Sequence, residues 1–188
     1  MARSEQRAVV VVEGVSDQIA IETLARRRGR DLARESIAIV PMGGAHAISR
    51  FLSDLGPRGA NIALAGLCDV GEEEDFRRAL ETAGFGSDLT RTEMEELGFF
   101  VCVKDLEDEL IRALGATTVQ EILEAEGDIH RFRTLQKQAA WRGRPTDQQL
   151  RRFMGSGGSR KVRYARILVD ALDLARVPRP LDGVLARV

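Results

Sequence analysis

The sequence predicts an α/β protein: a mainly parallel four-stranded sheet flanked by helices, followed by an all-helical extension from about residue 115. Three observations carry that reading. Short apolar runs alternate with amphipathic helical segments over the first part of the chain, as in strand–helix–strand units. The runs lack polar alternation, which suits strands buried on both faces. Past Gly115 the strand signals stop and only helical periodicity continues.

The elements follow in order. Residues 9–12 are four valines, a run read as a buried strand, and Gly14 supplies a sharp turn into a helix over 16–27. A second strand at 36–40 is closed by Pro41 and the pair Gly43-Gly44, and a helix follows over 45–55. The two glycines could leave backbone N–H groups free for a phosphate at that helix start, although a tight turn is the plainer reading. Residues 61–68 form the third run, followed by a helix with Phe76, Ala79, Leu80 and Ala83 on one face. The fourth run spans 98–103 and leads into a helix over 106–114. In the extension, helical patterns occupy 119–125, 132–140, 147–154 and 161–174, and Pro178 and Pro180 precede a short terminal helix.

Acidic residues recur where strands should end. Glu13 and Asp17 follow the first run, Asp69 with Glu72, Glu73 and Glu74 follows the third, and Asp105 with Glu107, Asp108 and Glu109 follows the fourth. Parallel strands feeding one sheet edge bring such clusters together. Crowded carboxylates repel, so near neutral pH they persist only when protonated, salt-bridged or bound to a cation; a hard divalent cation is the simplest answer. Glu107 adds a local argument. On the helix 106–114 it lies next to Leu110 and Ile111 on the core-facing stripe, where an acid wants a partner. The competing reading is helix capping: Ser16 and Asp17 as cap residues, Glu107 as a first-turn acid favoured by the helix dipole.

These residues resemble a known family. Glu-Gly-x-Ser-Asp after a first strand, an Asp after a later one and Asp-Leu-Glu-Asp-Glu after another are similar to the TOPRIM domain of topoisomerases, bacterial primases and nucleases of the overcoming-lysogenisation-defect (OLD) type, closest to the last. The motifs cover residues 7–114. The resemblance implies a TOPRIM-like fold over residues 1–115, with residues 116–188 a basic helical extension packed on it. It also implies a DNA endonuclease that hydrolyses phosphodiesters with Mg²⁺ or Mn²⁺, two ions in all. Glu13, Asp17, Asp69, Glu72, Asp105 and Glu107 are then the metal ligands, and Glu13, Asp69 and Lys161 the catalytic set. Lys161 resembles the functional lysine in the helical extension of OLD-type nucleases.

Two departures stand out. The family has Asp-x-Asp after its third strand, whereas this chain has Asp69-Val70-Gly71; Glu72 or Glu73 could reach the same ion from the next turn. OLD-type proteins also carry an ATPase domain on the same chain, so here a separate ATPase is the expected partner. A non-catalytic TOPRIM module that binds nucleic acid or such an ATPase is the alternative. A receiver-like signalling domain fits less well, because it wants paired acids closing its first strand. A topoisomerase needs DNA-gate domains that 188 residues cannot hold, and Tyr164 is the only tyrosine.

Composition agrees. A chain of 188 residues, 44% hydrophobic and 30% charged, is long enough to bury one core without staples. Cys68 and Cys102 fall in predicted buried strands and read as core residues; with only two histidines, a zinc site is not expected. No apolar run has the length of a membrane span, and a cytoplasmic location is expected. Net charge is −1, but it is polarised. Residues 127–188 hold 14 basic against 5 acidic side chains, net +9, leaving net −10 in residues 1–126. A basic surface beside an acidic metal site is what a polyanionic substrate requires. The segment 155–161 superficially suggests a phosphate-binding P-loop, yet Arg160 stands in place of its last glycine and Val162 in place of its Ser or Thr. ATP binding does not follow; a glycine-rich lead into Arg160 and Lys161 could instead carry a cation to a scissile phosphate.

Overall fold

The apolar runs assemble into one sheet whose four strands are all parallel. In this computed structural model, which describes residues 6–44, 47–56 and 62–188, they are β1 (Ala8–Val12), β2 (Ile37–Pro41), β3 (Ala63–Cys68) and β4 (Phe99–Val101), in the order β2-β1-β3-β4. The expected starts of the second helix at Ala45 and His46, and of the third strand at Asn61, lie outside the described residues. β4 is shorter than its apolar run for a definable reason. The backbone N–H of Val103 donates to the Glu109 carboxylate at 2.7 Å and leaves the ladder.

Ten helices are described. They are α1 (Val15–Arg27), α2 (Ile48–Leu55), α3 (Glu73–Ala83), α4 (Arg91–Glu96), α5 (Leu106–Leu114), α6 (Ala116–Ala125), α7 (Ile129–Lys137), α8 (Thr146–Gly155), α9 (Gly158–Ala171) and α10 (Arg179–Arg187). α4 was not expected from periodicity. Its start is a capping box in which Thr90 accepts from the Glu93 N–H and the Glu93 carboxylate accepts from the Thr90 N–H at 2.7 Å.

The period-2 geometry of the strands divides the core into two layers. Ala8, Val10 and Val12 of β1 face one cluster, which contains Ala20, Ile21 and Leu24 of α1 and continues through α5 to α10. Val9 and Val11 face the other, against Ile48 and Leu52 of α2, Phe76 and Leu80 of α3 and Met94 of α4. The C-terminal helices therefore share a core with the sheet: α9 packs along α1 and α5, and α10 returns to β3 and β4. Arg27, in the last turn of α1, donates to the carbonyls of Val169 and Leu172 at 2.8 and 2.7 Å, a cation at the carbonyl end of α9. α1 and α9 thus run in the same direction. Both begin at the carboxyl edge of the sheet.

The connections set the position of the site. From β1 the chain crosses to β2 on one side, then returns past β1 to β3 on the other, so the strand order reverses between β1 and β3. In open α/β sheets that switch point, at the carboxyl ends of the strands, is where ligands bind.

Candidate metal centre

Glu13 and Asp69 lie at the switch point because each directly follows a central strand. Val12 pairs with Leu67 and Cys68 with Val101, so the chain leaves β1, β3 and β4 at nearly one level. Carboxylate oxygens of Glu13, Asp69 and Glu72 lie within 4.8 Å of one another. The short 3₁₀ turn Val70–Glu72 makes this possible: the Glu72 N–H donates to the Asp69 carbonyl at 3.0 Å and folds Glu72 back over the strand end. The two candidates for the missing second acid are thereby separated. Glu73 pairs with Arg77 at 2.9 Å and with Arg91, whereas Glu72 joins Glu13 and Asp69.

Electrostatics mark these acids as uncompensated. Burial, then the charges of Glu13, Asp17 and Asp105, push the Asp69 carboxyl up to about 8 against a slight opposing pull from Lys161. Burial and a hydrogen bond shared with Glu13 raise Glu72 as well. One Glu72 carboxylate oxygen, Oε2, is buried with no hydrogen-bond partner. An orphaned buried oxygen beside two further carboxylates fits a hard divalent cation, which takes oxygen ligands and supplies the missing positive charge.

Asp17 and Glu107 are two further buried acids, both acting on Lys161. Asp17, buried in the first turn of α1, accepts the Gly14 N–H at 2.9 Å, and burial pushes it up to about 6 although that bond and Lys161 pull it down. Glu107 is buried, as its place on the core-facing stripe predicts. Its carboxyl is pushed up to about 7 by burial, against the Lys161 ammonium, whose Nζ lies 3.6 Å from Glu107 Oε2. Burial pulls Lys161 down, but Glu107, Asp17, Asp69 and Glu13 together outweigh it and leave the ammonium raised.

Comparison with known proteins bears directly on this edge. Residues 6–70 match the family described as overcoming lysogenization defect protein-like, TOPRIM domain. Over that span the chain is similar to an OLD-type TOPRIM domain. Solved C-terminal regions of OLD proteins share its fold over nearly the whole chain. That of Xanthomonas campestris pv. campestris has a TM-score of 0.76 at 23% identity, covering 97% of this chain and 92% of the other. That of Burkholderia pseudomallei has a TM-score of 0.72 at 19% identity, covering 97% of each. No curated protein matches the sequence.

The acids after β4 have other partners. Asp105 caps α5, accepting the Asp108 N–H at 2.8 Å, and its second oxygen accepts from Arg151 Nε at 2.6 Å. Asp105 is therefore held by a guanidinium outside the compact Glu13–Asp69–Glu72 group. Asp108 pairs with Lys104 and Arg112, both at 2.7 Å, and Glu109 with Arg112 at 2.7 Å and the Val103 N–H. Of the acidic run after β4, only Asp105 and Glu107 stand near the site. Arg160 turns away from it: its guanidinium donates to the carbonyls of Phe153 and Ser156 and to the Ser156 hydroxyl, and lies 4.2 Å from the Phe153 ring centroid. Gly43 is likewise occupied, its N–H donating to the Glu13 carbonyl at 3.1 Å, so it steadies the end of β1. Arg151 is a neighbour that sequence reasoning did not find, being 46 residues from the acid it contacts. Cys68 and Cys102 are free and buried, and burial pushes both thiols up. Among the described residues no helix is long and apolar enough to cross a membrane.

Proposed function

We propose that this chain is a divalent-metal-dependent DNA endonuclease of the OLD TOPRIM type. The observation that carries the reading is the convergence of Glu13, Asp69 and Glu72 at the switch point, with one carboxylate oxygen left without a partner. Phosphodiester hydrolysis is slow because an anionic nucleophile approaches an anionic phosphate and an alkoxide must leave. Mg²⁺ or Mn²⁺ supplies charge neutralisation and Lewis acidity for that chemistry, and a pair of ions divides the work. Glu13, Asp69 and Glu72 would hold one ion, and Asp17, Asp105 and Glu107 are the oxygen donors left for a second. Asp105 would then exchange Arg151 for the ion. Lys161, kept protonated by the acids around it, would place its ammonium against the charge developing on the phosphate oxygens.

Support also comes from charge. An acidic edge repels a polyanion, and α8 and α9 bring Arg151 and Lys161 to it. A non-catalytic nucleic-acid-binding module is the second reading, favoured by one feature: the Arg151–Asp105 ion pair already satisfies an acid that a second ion would need. Nicking of supercoiled plasmid by the purified chain separates the two. Cutting that needs Mn²⁺ or Mg²⁺, stops with EDTA and is lost in both Glu13→Ala and Asp69→Ala supports the nuclease. Cutting that persists in those variants rejects it.

A further inference from the structure

One cavity adjoining the acidic edge shares only Asp105 with the candidate metal centre. It has a volume of about 390 Å³ and is lined by Lys104, Asp105, Trp141, Arg144, Arg151 and Arg152. Asp105 belongs to both, so the cavity opens where β4 delivers its acids. Trp141 is the only tryptophan of the chain. It is half-buried, with its apolar body packed on the main core cluster. The guanidinium of Arg144 lies 5.1 Å, and that of Arg152 6.0 Å, from the indole centroid.

The turn that carries the indole is built to be rigid. Buried Gln149 donates to the Trp141 carbonyl at 2.8 Å and accepts from Gln136 at 2.7 Å, which ties the turn to α7 and α8. Arg144 Nε donates to the Ala140 carbonyl at 2.8 Å and closes it from the other side. The cations at this wall differ in what they still need. Lys104 and Arg151 hold Asp108 and Asp105, whereas no carboxylate of the described residues pairs with Arg144 or Arg152. Both guanidiniums are exposed, so an anion can reach them from solvent beside the indole.

The geometry points to a nucleotide subsite: this cavity takes one unpaired nucleotide of a DNA strand, its base stacked on Trp141 and its phosphate between Arg144 and Arg152, while the neighbouring phosphate reaches the acidic edge. The inference rests on the nuclease reading and narrows its substrate to DNA with a single-stranded segment at the cut. In a duplex both faces of each base are already covered by its neighbours. An indole face therefore selects unstacked bases, tolerates any sequence and acts with cationic groups that follow the backbone. The volume lies in the range of pockets that enclose a small ligand.

Because Trp141 is unique, its own fluorescence reports the contact in the unmodified chain. With EDTA present to prevent cutting, a short oligothymidylate should quench the indole saturably, and a blunt duplex of two annealed strands of the same length should not compete for it. Replacing Arg144 and Arg152 together by alanine should weaken binding of a labelled oligothymidylate by about tenfold or more, while Trp141→Phe, which keeps a π-face, should bind within a few-fold of wild type. Absence of quenching in wild type, or equal competition by the duplex, overturns the subsite. Nicking assays separate the two levels. Metal-dependent nicking without quenching leaves the nuclease reading intact and removes the subsite, whereas quenching without nicking, with or without metal, keeps the subsite and removes the nuclease.

Discussion

Replacing Asp69 by asparagine should stabilise the metal-free protein, although the residue sits at the centre of the proposed site. The carboxyl is carried from 3.8 to about 8 by burial and by neighbouring acids. At about 1.4 kcal/mol per pH unit, that rise corresponds to an upper limit of about 6 kcal/mol against the folded state once both forms are ionised. Neighbouring acids titrate in response and solvent reaches part of the site, so about 2–3 kcal/mol is the expected share. The sign follows from the raised acid. Below pH 4 Asp69 is neutral in both the folded and unfolded chain and costs nothing. From about pH 4 to about pH 8 the unfolded chain is ionised while the folded one resists, and the cost grows through that window. Thermal melts in EDTA at pH 8 should therefore show Asp69→Asn melting about 5–10 °C above wild type, with the gap shrinking toward pH 5. Added Mn²⁺ should raise wild type and close the gap, because an ion that binds only the folded form stabilises it. A variant that melts at or below wild type in EDTA at pH 8 would refute the electrostatic argument.

Lys161→Met should slow plasmid nicking by about a hundredfold or more. Its far-ultraviolet circular dichroism should stay that of wild type, because α9 is anchored by its apolar face and by Arg27. Arg160→Ala has the opposite profile. The loss of three hydrogen bonds at the α8–α9 junction should cost about 1–2 kcal/mol in urea unfolding, with nicking by the folded protein within a few-fold of wild type. Gly66→Ala places a methyl 2.6 Å from the Phe99 ring and 3.2 Å from Val11 between central strands, and urea unfolding should show a loss of about 1–3 kcal/mol.

The sheet was legible in the sequence because strands buried on both faces leave continuous apolar runs, and the four valines of β1 are the extreme case. Glu107 was legible for a related reason: its position on the helix stripe places it inward whatever it contacts. α4 was missed although Thr90 and Glu93 spell its cap, because six residues carry too little periodicity to register. The choice between Glu72 and Glu73 was not legible. Successive residues of a 3₁₀ turn point about 120° apart, and which one faces the strand ends depends on where Arg91, eighteen residues on, captures Glu73. Likewise the Arg151–Asp105 pair and the Trp141 cavity join residues brought together only by packing of the C-terminal helices on α5. Arg160 and Lys161 both follow the glycine-rich lead, and only the resemblance singled out Lys161. Adjacent positions on a helix diverge, and one faces the acids while the other faces α8.

Mn²⁺ binding followed by electron paramagnetic resonance tests the central claim most directly, since it requires neither substrate nor partner. Wild-type protein at neutral pH should remove free Mn²⁺ from solution saturably, and Glu72→Gln should weaken that binding by about tenfold or more, as expected when one of three converging carboxylates is lost. Glu73→Gln, which breaks only the pairs with Arg77 and Arg91, should bind as wild type does. Equal binding by wild type and Glu72→Gln, or loss of binding in Glu73→Gln alone, would contradict the assignment of the centre to Glu13, Asp69 and Glu72.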